Sequence, residues 1–103
     1  MEGPVIKLIM TWNIREGKER EYLQFLENEF QKSLLEMGVQ PTDAWYAVWG
    51  QGPQVLAGGV TEDIEAMEDA LRSETWADFR RKLGDLVTGL DYKVVESTGG
   101  FQL

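Results

Sequence analysis

Between Ile14 and Lys18 the spacing of apolar residues changes, and that change constrains the chain more than any other feature. Before it, Ile6, Leu8, Met10, Trp12 and Ile14 recur at every second position, with Lys7, Thr11 and Asn13 among the residues between them. A period of two built from β-branched and aromatic residues predicts a strand over 5–14, ended by Arg15, Glu16 and Gly17. After it, Tyr22, Leu26, Phe30 and Leu34 recur every four residues, and Leu23 and Met37 widen the stripe. That is one apolar face of a helix from about Lys18 to Met37. Gly38 supplies a left-handed C-cap, and Pro41 opposes continuation.

The alternation of periods then recurs. AWYAVW over 44–49 predicts a second strand and QVLAGGVT over 54–61 a third, joined as a hairpin by the Gly50-Gln51-Gly52-Pro53 turn. The pair Gly58-Gly59 predicts a bulge or the close approach of another backbone or a ligand. Ile64, Met67 and Leu71 resume helical spacing, and Ser73 N-caps a further helical piece holding Trp76, Phe79, Leu83, Leu86 and Val87. One kinked helix and two consecutive helices fit this stretch equally. YKVVES over 92–97 predicts the fourth strand. The order is βαββαβ in a single domain spanning 1–103, with no linker or low-complexity tract. That is an α+β, ferredoxin-like fold, a four-stranded antiparallel sheet with its helices on one face. A chain of 103 residues buries roughly 65% of its unfolded surface, enough for one core.

Composition removes whole classes of function. A net charge of −8 argues against nucleic acid and against an anionic membrane surface as partners. Cysteine is absent, which excludes disulfides, thiolate nucleophiles and thiolate metal sites. Histidine is absent too, and with it the commonest general base, metal ligand and haem ligand. No apolar run reaches membrane-spanning length and no signal peptide is visible, so the expected location is the cytoplasm. The seven acids between Glu62 and Asp78 do not meet the spacing of a calcium loop, and they read as a solvated face paired locally with Arg72. No metal and no cofactor are expected.

Two helices cover only one face of a four-stranded sheet, yet the strands carry apolar residues on both parities. In the second strand Trp45, Ala47 and Trp49 take one side, and Ala44, Tyr46 and Val48 the other. Either choice leaves an apolar patch that this short chain cannot cover, so a second subunit is expected to cover it. With that pattern, and with IREGKEREYLQFL at 14–26 and LRSETWADFRRKLGDLV at 71–87, the chain resembles the dimeric α+β barrel superfamily. It is most similar there to antibiotic-biosynthesis-monooxygenase-like and NIPSNAP-like small proteins. The resemblance implies a homodimer with a small-molecule pocket in each subunit, between the open sheet face and a helix. Known members include cofactor-free oxygenases, isomerases, lactone-forming enzymes and haem-degrading enzymes. The last use a histidine ligand that this chain lacks.

If Ile6, Leu8, Met10 and Trp12 lie beneath the helices, Lys7, Thr11 and Asn13 point into the barrel. Asn13 would then orient a carbonyl or enolate oxygen, Thr11 would donate a hydrogen bond, and Lys7 would stabilise a developing anion. The plainer alternative is a set of ordinary rim or dimer-contact residues. Glu96, on the last strand, is expected near Lys7, as a base in a protein without histidine or simply as a cross-strand ion pair. The catalytic candidates are therefore Asn13, Glu96 and Lys7. Thr11, Asn13, Trp45, Trp49 and Tyr92 are the ligand-binding candidates, since aromatic walls with few polar groups suit planar apolar ligands. Trp12 and Tyr46 belong to the same aromatic group, and each aromatic has a core or interface role as its alternative. The expected function is binding of a small apolar or aromatic molecule, with cofactor-independent monooxygenase-like action on an aromatic or polyketide-like substrate. The alternative is a non-catalytic ligand-binding or interaction protein of the same fold.

Overall fold

The computed structural model describes residues 5–42, 45–46 and 54–97. Strand β1 spans Val5–Ile14, and helices α1 (Glu19–Phe25) and α2 (Gln31–Glu36) follow, joined by a π-helical segment, Leu26–Phe30. Two short strands come next, β2 (Gln40–Pro41) and β3 (Trp45–Tyr46), then β4 (Val55–Thr61). Helices α3 (Ile64–Leu71) and α4 (Glu74–Gly84) lead into β5 (Val87–Ser97).

Strands β2 and β3 are two pieces of one strand position. Pro41 pairs with Gly59 and Trp45 with Leu56, so both run antiparallel along β4 with one extra residue on their side. Across the sheet the order is β2/β3, β4, β1, β5, with every pairing antiparallel. This is the ferredoxin-like arrangement read from the element order. Of the expected second strand over 44–49, the described residues are Trp45–Tyr46, which form β3, with an unexpected forerunner at Gln40–Pro41; positions 47 and 48 lie outside the described residues. Ala44, Trp49 and the turn at 50–53 lie outside the described residues.

The parity of β1 is resolved. Leu8, Met10 and Trp12 are fully buried and Ile6 nearly so, packed beneath the helices with Phe25, Phe30, Leu34, Trp76, Phe79 and Leu83. Phe25 and Phe30 are five residues apart, the span of a π-helical hydrogen bond, and both are buried in the core at the two ends of the π segment. Leu23, expected in the stripe, is instead 56% exposed on the outer surface. Gly38 has φ +85°, as a left-handed C-cap requires.

The second helical stretch is two helices. Ser73 joins them, its hydroxyl donating to Ala70 O at 2.7 Å and accepting from Trp76 N at 3.1 Å. Leu86 and Val87 are not helical: α4 stops at Gly84, and Val87 opens β5 with its side chain in the core. Arg15 fixes this corner. Its guanidinium donates to Gly84 O at 3.2 Å and Val87 O at 2.9 Å, one carbonyl at the end of α4 and one at the start of β5. Beyond it, β5 gains one residue against β1 between the pairs Asn13–Thr88 and Thr11–Asp91. Gly89, at φ +65°, lies in this bulge, a backbone shape that favours glycine.

Candidate functional site

The sheet face away from the helices is the candidate site. Register assigns its members, because directly paired residues on neighbouring strands share a face. Lys7 lies between Val60 and Val95, Ile9 between Gly58 and Lys93, and Thr11 between Leu56 and Asp91. Asn13 pairs with Thr88 at the end. Ile9, Leu56, Val60 and Val95 are half-buried, so an apolar centre remains that no helix covers.

The polar candidates divide across the sheet. Thr11 is half-buried on the open face, where Asp91 stands opposite it. Asn13 is on the same side, but its Oδ1 accepts from Gln54 N at 2.9 Å, while Gln54 Oε1 accepts from Ile14 N at 2.8 Å. This reciprocal pair closes the ends of β1 and β4 and orients the amide, so Nδ2 is the Asn13 group that would serve a ligand. Lys7 is the most hidden of the row, 8% exposed despite standing on the open side. Burying a charged side chain so far requires compensating interactions, and Lys7 has them.

Glu96 does not join this group. It pairs with Ile6, whose side chain points to the helix layer, whereas Lys7 pairs with Val95. The antiparallel pairing is as expected, but a one-residue difference in register reverses the face, so Glu96 and Lys7 are on opposite sides of the sheet by register. Tyr92 is also on the helix side, opposite Met10, with its ring edge-on to Trp76 at 5.1 Å. It is therefore separated by the sheet from Thr11 and Asn13. Trp12 is a core residue, its indole Nε1 donating to Tyr22 OH at 2.9 Å. Trp45 is in backbone register with Leu56, the open-face neighbour of Thr11; Trp49 lies outside the described residues.

One participant was not anticipated. Asp91 falls just before the predicted fourth strand, and only the glycine bulge at Gly89 signals that the strand begins earlier. Gly58 was singled out for close approach, which is what occurs: a Cβ there would stand 3.1 Å from both Leu8 O and Thr42 Oγ1. The neighbouring Gly59 is likewise required, since its Cβ would collide with Val39 Cγ1. A small cavity of about 10 Å³ opens beside Gly58, lined also by Lys7, Ile9, Thr42 and Leu56.

The acids of 62–78 serve local ends. Asp63 caps α3 by accepting from Ala66 N at 2.8 Å, and Asp69 pairs with Arg72 at 3.0 Å. Among the described residues no group of three acidic side chains is disposed to hold a metal ion, and no helix is long and apolar enough to cross a membrane.

No protein-family model matches the sequence, and no curated protein matches it. Solved structures do match. A NIPSNAP family protein of unknown function from Agrobacterium tumefaciens superposes with a TM-score of 0.64 at 16% identity, covering 91% of this chain and 88% of its own. A hypothetical protein from Arabidopsis thaliana reaches 0.72 at 14% identity, covering 99% and 94%. A candidate antibiotic biosynthesis monooxygenase from Nitrosomonas europaea reaches 0.62 at 12% identity, covering 96% and 93%. At these identities the likeness is one of fold. The chain is built on the ferredoxin-like fold of NIPSNAP and antibiotic-biosynthesis-monooxygenase-like proteins, the superfamily that its sequence resembles.

Proposed function

We propose that this chain is a small-molecule-binding protein whose ligand lies on the open sheet face, enclosed there by a second copy of the chain. The observation that carries the reading is the composition of that face. Ile9, Leu56, Val60 and Val95 form a half-buried apolar floor, and Lys7, Thr11, Asn13 and Asp91 supply its few polar groups. An apolar floor with sparse polar groups is the usual make-up of a site for a planar, mostly apolar molecule. The backbone of Trp45 is in register with Leu56 at the edge of this floor.

A catalytic extension is favoured by one specific pair, Thr11 beside Asp91. Asp91 takes the part first assigned to Glu96, that of a carboxylate on the ligand face. It would accept the proton of a phenolic substrate while Thr11 donates a hydrogen bond to a second oxygen. The phenolate then passes an electron to O₂, and substrate radical and superoxide combine to a peroxide. Loss of water leaves a quinone, one oxygen atom entering the product and the other leaving as water. Lys7 and Asn13 Nδ2 would stabilise the anionic oxygen along this path. The chemistry is the monooxygenase-like action expected for an aromatic or polyketide-like substrate. Without it, the same face serves a non-catalytic binding protein.

Oxygen uptake in the presence of a panel of polyphenols and hydroquinones separates the two. Asp91→Asn is expected to lower the rate at least tenfold, and Glu96→Gln to leave it within twofold. Equal loss in both variants would remove Asp91 from the reaction. Uptake by no substrate, with binding intact, would leave the non-catalytic reading.

A further inference from the structure

We propose that the Asn13 amide and the bare backbone of Gly89 form a subsite at one end of the open sheet face, which takes a carbonyl oxygen of the ligand. The proposal rests on the open face being the ligand face and adds the kind of atom that a ligand presents at this end. The Asn13 amide can stand only one way round. Its Oδ1 accepts from Gln54 N at 2.9 Å, and a backbone N–H has only a proton to offer. Exchanging the amide oxygen and nitrogen would set two donors against each other. Gln54 Oε1 is held in the same way by Ile14 N at 2.8 Å, which keeps Gln54 beside the end of β1. The Asn13 oxygen is thus engaged on the β4 side, and Nδ2 lies toward β5, where a Cβ at Gly89 would stand 3.8 Å from it.

Gly89 leaves the space beside this donor empty. Its φ of +65° disfavours other residues, and apart from Asn13 Nδ2 no atom of the described residues lies within 4 Å of the position its Cβ would take. The bulge that brings Asp91 opposite Thr11 therefore also uncovers Nδ2. Among the described residues Nδ2 donates to no protein acceptor, and no buried side-chain polar atom is left without a partner, so Nδ2 is open to a ligand. An amide NH₂ donates and does not accept. A ketone or quinone oxygen satisfies it, whereas a carbon group in the same place displaces its water and leaves the donor unpaired. A latch between β1 and β4 needs only Oδ1; the subsite needs Nδ2 as well. Asn13→Asp separates the two, since a carboxylate still accepts from Gln54 N but has no N–H.

NMR titration of the full chain with 2-acetylnaphthalene and 2-isopropenylnaphthalene tests the subsite, because the second probe replaces the carbonyl oxygen of the first by a methylene group of similar shape. The ratio of ketone to alkene affinity is expected to be about tenfold higher in wild-type protein than in Asn13→Asp, and comparing ratios cancels the greater hydrophobicity of the alkene. The Asn13 side-chain NH₂ signals should move with the ketone and stay with the alkene. Those of Asn28, the only other asparagine and an exposed one, should stay with both. If Asn13→Asp folds poorly, the wild-type NH₂ signals decide. An unchanged ratio in Asn13→Asp, or ketone binding that leaves the Asn13 signals in place, would overturn the subsite, while methyl shifts at Ile9 and Leu56 would keep the ligand face standing. Binding of neither probe, or shifts that miss Ile9 and Leu56, would overturn both.

Discussion

Single residues in this chain are assigned to one face of the sheet or the other, and the assignment settles what each can do. Trp12 illustrates the helix side. It is fully buried, edge-on to Tyr22 and Phe30 at ring distances of 6.4 and 6.2 Å, and bonded through its indole N–H to the Tyr22 hydroxyl. Trp12→Phe removes that hydrogen bond and part of the ring volume, and should cost about 1–3 kcal/mol in urea unfolding. Because Trp12 faces away from the site, ligand affinity should change less than twofold in the same variant. Lys7, its neighbour on the strand by only five residues, stands on the opposite face and carries the opposite expectation. The identities of both were plain in the sequence; their separation follows from the period of two.

Elements were legible where pattern alone determines them. The alternation in β1 and the Ser73 cap between α3 and α4 could be read directly, because each is a local preference satisfied locally. The features that were missed depend on register. Nothing local in YKVVES states that Glu96 meets Ile6 and not Lys7, because that follows from where the bulge at Gly89 places the rest of β5. The same bulge brings Asp91 opposite Thr11. Likewise Phe25 and Phe30 are both buried at the two ends of the π segment, where a strict four-residue spacing pointed to Leu26 instead. Gly59 offers a test at this scale. Gly59→Ala drives a Cβ into Val39 and should destabilise the protein by about 1–3 kcal/mol. Val39→Ala removes the colliding methyl, so the double variant should be no less stable than Gly59→Ala alone, although Val39→Ala by itself is destabilising. Simple addition of the two losses in chemical denaturation would show that the clash is not the cause.

At the scale of the molecule, one face of the sheet is fully used and the other is not. The helices cover Ile6, Leu8, Met10 and Trp12, while Ile9, Leu56, Val60 and Val95 keep part of their surface in the single chain. A second copy laid on that face would bury this floor and enclose the ligand. Sedimentation equilibrium should therefore give twice the chain mass. Ile9→Glu, which puts a charge at the centre of the floor without touching the helix-side core, should give the single-chain mass with an unchanged far-ultraviolet spectrum. A dimer that withstands Ile9→Glu would locate the contact elsewhere.

The central claim is that ligands occupy the open face. Methyl-resolved NMR during titration with 2-naphthol tests it most directly, because the two faces carry different methyl groups. The account predicts shifts at Ile9, Leu56, Val60 and Val95, with Leu8, Leu34 and Leu83 unmoved. Shifts confined to the helix side, or to the exposed Leu23 and Leu35 on the outer surface of α1 and α2, would contradict it.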